Sequence, residues 1–268
     1  MEDWRGRGHR RHHCHMPAST SVGIPADYHW QPGDRPDLLV LCDHASRALP
    51  AEYGDLGLDT AARAAHICWD IGAAELASSL GAQLGAAVLS AGWSRILIDC
   101  NRGWDDPTLV LPISDGISVP GNQRVDAVER EQRWRRYHQP YHEQIRLELD
   151  RRITAGQRPL LLGIHSFTPV YAGQPRPWEM GILWRPPDPR AAAALGFLSA
   201  KGLVVGDNEP YSGADMLGHT LERHAIDRGL PYLLIEVRQD LLDAAGVARF
   251  TPLLSECVEA VLRVRDLK

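Results

Sequence analysis

Short, continuous apolar runs, spaced along the chain from residue 37 onward and separated by helix-like segments, restrict the fold more than any other feature. Such runs are typical of strands that are buried on both faces of a largely parallel sheet. They predict strands at residues 38–42, 86–89, 95–99, 159–164, 180–184, 203–205 and 232–237. No linker and no internal repeat divides them, so the sequence predicts one three-layer α/β/α domain with a mixed, largely parallel central sheet.

Helical periodicity fills the intervals between these runs. Leu76, Leu80 and Leu84 recur every four residues and predict a helix. The longest predicted helix covers residues 126–153, and Pro140 should begin a segment of it or kink it. Further helices are predicted at residues 189–201 and 217–228, and a closing helix from Thr251, its cap, with Pro252 at the first helical position.

Residues 1–30 differ from the rest of the chain. The stretch from Arg5 to His15 is basic, rich in histidine and without hydrophobic periodicity, so it cannot bury a core. We therefore predict a disordered extension at residues 1–30 and a single catalytic domain at residues 31–268. Metal binding by the histidine tract is the alternative interpretation.

The overall composition excludes several classes of function. A formal net charge of -5 argues against binding to nucleic acid or to an anionic membrane surface. No apolar run is long enough to span a bilayer, and the first residues lack the apolar core of a secretory signal. Five cysteines without a CxxC pair predict reduced thiols. We expect a cytoplasmic protein with a small-molecule partner, and the sequence leaves the oligomeric state open.

Polar residues that follow the apolar runs carry the functional signal. In open α/β sheets, ligands bind at the carboxyl ends of the strands, where these residues are expected to meet. They include two histidines, several carboxylates and several arginines, which together predict a polar site. The set is Asp43 and His44 after the first run, Asp99, Asn101 and Arg102 after the third, His165 and Ser166 after the fourth, and Glu236 and Arg238 at the last.

The histidines and carboxylates of this set are the residue types that form a catalytic zinc site. Such a site uses three protein ligands of the imidazole and carboxylate type and leaves one position open. His44 and His165 supply two of them. The third is Asp43, Asp70, Asp99 or Glu236, between which the pattern alone does not decide. Each residue also has a simpler interpretation, since strand-end histidines are often only hydrogen-bonded and Asp70 is placed to cap a helix.

Other motifs point to weaker possibilities. His138 and His142 have the four-residue spacing that suits zinc on a helix, but the HExxH pattern is absent and Pro140 interrupts the segment. We therefore favour a packing role for both histidines. Ser46 and Ser166 lack the GxSxG turn of a serine nucleophile, and neither a P-loop nor GxGxxG is present.

Seven motifs together resemble the N-formylglutamate amidohydrolase family. They are DHAS at 43–46, WDIG at 69–72, SRILIDCNR at 94–102, YHQPYH at 137–142, IHSFTP at 164–169, GDNEPYSG at 206–213 and IEVRQD at 235–240. The resemblance implies a fold similar to that of zinc carboxypeptidases and aspartoacylases, with a mixed eight-stranded sheet. It also implies zinc-dependent hydrolysis of N-formyl-L-glutamate to formate and L-glutamate.

The resemblance also implies roles for single residues. The segment with His165 is similar to the one that carries the second histidine ligand in those peptidases, and the segment with Glu236 to the one that carries their general base. Their first two ligands form a His-x-x-Glu pair, whereas here Arg47 follows His44 at that spacing. The carboxylate ligand must come from elsewhere, and we predict Asp70.

The resulting hypothesis assigns a role to each candidate residue. A divalent ion, most simply Zn²⁺, is expected on His44, Asp70 and His165. Glu236 is expected to move the proton and Arg95 to stabilise the oxyanion. The predicted substrate-binding residues are Asn101, Arg102, Tyr211 and Arg223. The alternatives are hydrolysis of another N-acyl amino acid or a glutamyl peptide, or a non-catalytic metal- or ligand-binding protein.

Overall fold

The computed structural model describes residues 27–185, 188–213 and 217–264, which fold into alternating strands and helices. The strands are β1 (Tyr28–Gln31), β2 (Leu38–Cys42), β3 (Ala87–Ala91), β4 (Ile113–Ser114), β5 (Ile117–Ser118), β6 (Leu160–Phe167), β7 (Val170–Tyr171), β8 (Gln174–Pro175), β9 (Met180–Leu183), β10 (Val205–Asp207) and β11 (Tyr232–Arg238). The α-helices are α1 (Thr60–Ala64), α2 (Ala73–Leu84), α3 (Ala127–Arg133), α4 (Gln139–Thr154), α5 (Pro189–Ala200), α6 (His219–Leu221) and α7 (Ala244–Leu262). None of the helices in these ranges is long and apolar enough to cross a bilayer.

Seven strands form one mixed sheet in the order β1-β3-β2-β6-β11-β9-β10. The pairs β3/β2, β2/β6, β6/β11 and β9/β10 are parallel, and the pairs β1/β3 and β11/β9 are antiparallel. The prediction of a mixed, largely parallel sheet is confirmed. The eight strands implied by the family resemblance are not found in the part of the chain that the structure describes, where the main sheet has seven.

The side chains of β2 show how the two faces of the sheet are covered. Leu38, Val40 and Cys42 pack in one core cluster with α2, α5 and α7, while Leu39 and Leu41 pack with α4 and residues 217–226 on the other face. A strand alternates its side chains between the two faces, so an unbroken apolar run means that both are covered. The three-layer α/β/α prediction is therefore confirmed.

The sheet begins inside the segment that we predicted as an extension. β1 pairs with β3 from Tyr28 opposite Ala91 to Gln31 opposite Val88. Residues 28–30 therefore belong to the domain. Asp27 is also among the described residues, and the remainder of the predicted extension, residues 1–26, lies outside them.

The apolar run at residues 95–99 was predicted as a strand, and this is wrong. Residues 95–97 and 100 lie in turns, because Ser94 is fixed by its N–H, which donates to Ala48 O (2.9 Å), and by its hydroxyl, which donates to Cys68 O (2.7 Å). The edge beside β3 is taken by β1 instead. The apolar side chains of the run are buried in smaller clusters away from the sheet, Leu97 among them.

Helix ends differ from the predictions at two places. The last helix, α7, begins at Ala244, where the Asp243 carboxylate accepts from Gly246 N–H, and Pro252 lies inside it; the predicted start at Thr251 is wrong. The predicted helix at 217–228 is a single turn, α6, followed by a π-helical segment, Glu222–Ile226. Pro140 stands in the first turn of α4 after the π-helical segment Trp134–His138, which confirms that it begins a segment.

Candidate active site

Three parallel strands, β2, β6 and β11, bring the candidate residues to one edge of the sheet. His44 follows β2 by two residues, His165 lies near the end of β6, and Glu236 stands opposite His165 on β11. Asp70 joins them from the loop before α2, because its N–H donates to the carbonyl of His44 (2.9 Å). All four side chains are buried.

One carboxylate oxygen of Asp70 is shared by both imidazoles. Its Oδ2 lies 3.3 Å from His44 Nδ1 and 2.9 Å from His165 Nδ1. The two rings meet edge to face, with 5.0 Å between their centroids. His44, Asp70 and His165 thus place three donor atoms within 4.8 Å of one another, close enough to hold a metal ion.

The outer nitrogen of each imidazole faces a different carboxylate. His44 Nε2 lies 2.7 Å from Asp99 Oδ1, and His165 Nε2 lies 3.2 Å from Asp43 Oδ2. Asp43 also accepts from the Tyr141 hydroxyl at 2.8 Å. Metal-bound histidines are usually oriented by such a carboxylate, which accepts the N–H of the nitrogen that does not hold the metal.

These contacts fix which ring nitrogens carry lone pairs. With the Nε2 atoms donating to carboxylates, the Nδ1 atoms of His44 and His165 direct lone pairs at the Asp70 oxygen, which is itself an acceptor. Lone pairs that face an anionic oxygen repel it unless a cation or protons lie between them. The donor set, two imidazoles and a carboxylate with oriented outer nitrogens, therefore fits a metal ion.

The pKa shifts of Asp70 and His165 also indicate that the triad favours positive charge at its centre. Burial opposes the ionisation of Asp70, but the imidazoles of His44 and His165 hold the pKa of this carboxyl group well below its usual range. Burial likewise opposes the charging of His165, but the carboxylates of Asp43 and Asp70 hold its pKa well above the usual range. The centre of the triad is thus a strongly cation-attracting point.

Glu236 is the carboxylate without a partner. Its Oε2 is buried and accepts no hydrogen bond from the residues that the structure describes. Burial raises the pKa of Glu236 to about 7, an effect that the nearby His165 opposes and the charge of Asp70 reinforces. A buried carboxyl group with a pKa near neutrality can both take up and release a proton.

Arg95 bridges two of the site carboxylates. Its Nη1 donates to Asp70 Oδ1 (3.2 Å) and its Nη2 to Asp99 Oδ2 (2.9 Å). A guanidinium has five N–H donors, so these two bonds leave others for a ligand. Arg95 therefore adds positive charge beside the triad while holding both aspartates in place.

A cavity of about 370 Å³ contains the residues that sequence reasoning brought forward. Eight of the nine predicted site residues line it: His44, Asp70, Arg95, Asn101, Arg102, His165, Tyr211 and Glu236. Leu183, Leu217 and Leu234 form apolar parts of its wall. The ninth, Arg223, is exposed on the π-helical segment after α6 and does not line the cavity, so the structure does not bring it together with the others.

The predicted carboxylate-binding residues are held by their own neighbours. Arg102 donates from Nε to Thr108 Oγ1 (2.9 Å) and from Nη1 to Asn101 O (3.0 Å), which fixes the plane of its guanidinium. Asn101 Oδ1 accepts from Thr220 N–H (3.0 Å). Asn101 approaches Gly218 so closely that a Cβ at position 218 would lie 2.4 Å from Nδ2 of the Asn101 side chain.

Sequence reasoning missed how the supporting residues divide their tasks. Asp43 and Asp99 were considered as ligands, whereas the structure places them behind the imidazoles as orienting carboxylates. Asp43 directly follows one apolar run and Asp99 ends another, and this position gives the same signal for either role. Tyr141, which donates to Asp43, lies in the YHQPYH motif at 137–142, but nothing in that motif shows that its hydroxyl reaches the site.

Comparisons with known proteins relate this chain to N-formylglutamate amidohydrolases. The family model for N-formylglutamate amidohydrolase matches residues 37–242. A gene product of Agrobacterium tumefaciens of known crystal structure is 33% identical, with a TM-score of 0.83 over 88% of this chain and 94% of that one. An N-formylglutamate amidohydrolase from Ralstonia eutropha is 22% identical, with a TM-score of 0.63 over 88% of this chain and 96% of that one. A search of curated protein sequences finds no match.

Proposed function

The chain belongs to the N-formylglutamate amidohydrolase family, and from this premise we propose that it is a zinc-dependent hydrolase of small acidic N-acyl amino acids. N-formyl-L-glutamate is the proposed substrate, with formate and L-glutamate as products. One observation carries the proposal. The Nδ1 atoms of His44 and His165 converge on Asp70 in a cavity that also holds the unpartnered carboxylate of Glu236.

His44, Asp70 and His165 would hold the metal. Two imidazoles and one carboxylate form a donor set that suits zinc better than magnesium or calcium, which prefer oxygen ligands. When bound, zinc polarises the amide carbonyl and makes water acidic near neutral pH. Nothing in the donor set requires zinc rather than another transition metal, so the metal identity is part of the test.

Glu236 moves the proton in the proposed reaction. Its free Oε2 accepts a proton from the attacking water as the new C–O bond forms at the acyl carbon. The same carboxyl group then gives that proton to the amide nitrogen as the C–N bond breaks, so the amine leaves uncharged. A pKa near 7 suits both transfers, because neither direction is strongly uphill.

Arg95 stabilises the negative charge that develops on the acyl oxygen. Its guanidinium lines the cavity and is fixed in advance by Asp70 and Asp99, so it need not reorganise during the reaction. Donors that are held in place before the charge appears are the effective ones.

Arg102, Asn101 and Tyr211 are the proposed contacts for the substrate's carboxylates. Arg102 offers a planar fork whose orientation is already set, which matches a carboxylate better than a lysine would. The cavity volume of about 370 Å³ is at the lower end of the range for small-molecule sites. A short acidic substrate fits that size, and Arg223 plays no part in the proposal.

The test measures metal content and formate release on one purified sample, before and after chelation. We expect metal at the triad and release of formate from N-formyl-L-glutamate that stops on chelation and returns with zinc. Bound metal without formate release would reject this substrate, and a panel of N-acyl amino acids and glutamyl peptides would then identify the class. A folded protein that retains no metal at the triad would reject the proposal.

A further inference from the structure

A second group of histidines lies beside the active site, on the face of the sheet that α4 covers. His138 and His142 stand one helical turn apart, and His219 joins them from α6. One ring nitrogen of each lies within 4.8 Å of those of the other two. None of the three belongs to the triad or lines the cavity. The packing role predicted for His138 and His142 does not explain why a third histidine meets them.

Backbone contacts determine the tautomers of the two helical histidines. His138 Nε2 lies 2.9 Å from Arg102 O, and His142 Nε2 lies 2.7 Å from Cys100 O. A carbonyl oxygen only accepts, so both Nε2 atoms carry the proton and both Nδ1 atoms carry a lone pair. This is how metal-binding histidines are commonly oriented, with the outer N–H donated to a fixed acceptor.

The inner nitrogens are short of donors. His138 Nδ1 and His219 Nε2 are both buried and have no hydrogen-bond partner in residues 27–185, 188–213 and 217–264. His142 Nδ1 lies 2.9 Å from His224 Nε2, which can donate to it. Buried polar atoms without a partner are rare in native proteins, and two of them in one cluster require an explanation.

We propose that His138, His142 and His219 form a second metal site, distinct from the triad, for a transition-metal ion such as Zn²⁺. A cation gives the inner nitrogens of His138 and His219 the partner that they lack, and at His142 Nδ1 it replaces the contact to His224. Tetrahedral zinc with Zn–N bonds of about 2.05 Å places its nitrogens about 3.3 Å apart, so binding needs a contraction of at most about 1.5 Å. His219 is only half buried, which gives the ion access and the ring freedom to turn.

An all-imidazole donor set also selects the class of ion. Neutral nitrogen ligands suit Zn²⁺, Cu²⁺ and Ni²⁺, whereas Mg²⁺ and Ca²⁺ require oxygen ligands. The fourth position would be left to water. The bound ion would tie the turn that carries Leu217 and Gly218, both part of the cavity wall, to helix α4.

The test counts metal ions in the full chain. Because the N-terminal histidine tract can also bind metal, its ligands are first replaced in a parent variant: His9, His12, His13 and His15→Gln and Cys14→Ser. After equilibrium dialysis against micromolar zinc, we expect two ions per chain in this parent by mass spectrometry. His219→Gln and Asp70→Asn should each reduce the count to one, and the double variant to zero. His29→Gln, an exposed histidine on β1, is the matched control and should change nothing.

Cu²⁺ supplies a second readout that does not depend on the count. Its electron paramagnetic resonance spectrum should show three nitrogen ligands at the second site of the Asp70→Asn parent, and His138→Gln should remove one. An ion count that His219→Gln and His138→Gln leave unchanged in folded protein would overturn the proposal. A parent with one ion that His219→Gln removes and Asp70→Asn retains would leave the histidine site standing and reject the proposed metal at the triad.

Discussion

Single carboxylates in the active site differ in what they contact, and this separates their tasks. Asp43, Asp70 and Asp99 each face an imidazole or guanidinium group at hydrogen-bonding distance. Glu236 alone among these four carboxylates has an oxygen without a partner in the described chain. A carboxylate that holds a cation in place cannot also exchange protons freely, so our proposal assigns proton transfer to Glu236.

Glu236→Gln should therefore remove turnover without removing the metal. Glutamine keeps the size of the side chain but cannot take up the proton, and a general base contributes roughly 10²- to 10⁴-fold to rate. We expect kcat on N-formyl-L-glutamate to fall by about 10³-fold with metal content unchanged. Glu259→Gln, which alters an ion pair with Arg35 elsewhere, is the control. A Glu236→Gln rate close to that of the native protein would exclude the assigned role.

At this scale the sequence identifies residue types better than it assigns contacts. His44, His165 and Glu236 were predictable because each stands at or near the end of an apolar run. The pattern alone left Asp70 and Asp99 open, and the family resemblance led us to predict Asp70; the backbone hydrogen bond from Asp70 N–H to His44 O, which places Asp70 between the imidazoles, is encoded by no pattern of residue types. Arg223 belongs to none of the motifs, and the sequence does not show that it lies on the exposed side of a π-helical turn.

Among the helices, α4 is anchored to the sheet by a buried ion pair. Arg152 is 1% exposed and donates from Nε to Glu148 Oε1 (2.7 Å). Its Nη1 donates to the carbonyl oxygens of Arg35, Pro36 and Leu38, the last at 2.7 Å, where the chain enters β2. A guanidinium in this position needs its carboxylate, because removal of one member of a buried pair leaves an uncompensated charge.

Glu148→Ala should destabilise the protein in a pH-dependent way. At neutral pH we expect a loss of about 3 kcal/mol in the free energy of unfolding, since Arg152 loses its partner. Burial opposes the ionisation of Glu148, but hydrogen bonds from Arg151 and Arg152 lower its pKa. Because the folded pKa is the lower one, this contribution is complete above the unfolded value of about 4.3 and disappears as the pH falls through the folded value.

Denaturant unfolding at several pH values checks this prediction. The difference between native protein and Glu148→Ala should be constant above about pH 5 and shrink on acidification. Glu143→Ala is the matched control, because Glu143 pairs with Arg146 on the exposed side of the same helix and should matter little. A Glu148→Ala difference that grows as the pH falls would contradict the argument.

The secondary structure was predictable where one rule dominated. β2, β6, β9 and β11 are buried on both faces, and a continuous apolar run is the direct consequence. Residues 96–98 are equally apolar but form no strand, since an apolar run indicates burial and not the partner against which it is buried. The start of α7 at Ala244 depends on a cap by Asp243 that competed in the sequence with the Thr251-Pro252 signal.

For the molecule as a whole, the active site is a concentration of buried charge. Asp43, Asp70, Asp99 and Glu236 lie close together in the interior, and Arg95 pairs with two of them, Asp70 and Asp99. Removal of such groups from water is costly, and like charges add repulsion. A divalent cation at the triad would neutralise two of these charges, so metal binding and folding stability should be linked.

Chelation should therefore lower the thermal stability of the folded protein. Free metal at about 1,000 times its dissociation constant stabilises by about 4 kcal/mol, which corresponds to a rise in Tm of roughly 10 °C at this size. We expect Tm to fall by that order with chelator and to recover with Zn²⁺ but not with Mg²⁺. Asp70→Asn should show a much smaller recovery. An unchanged Tm in native protein that demonstrably loses its metal would refute the linkage.

The turn from Asp99 to Arg102 serves both histidine clusters at once. The Asp99 carboxylate faces His44, while the carbonyl oxygens of Cys100 and Arg102 accept from the other cluster. Substitutions on the two sides of this turn should show epistasis, because a shift of its backbone that suits one cluster displaces an acceptor of the other. Substitutions on one side of this turn therefore depend on the residues on its other side. A substitution that is tolerated alone can become harmful when it is combined with a second one.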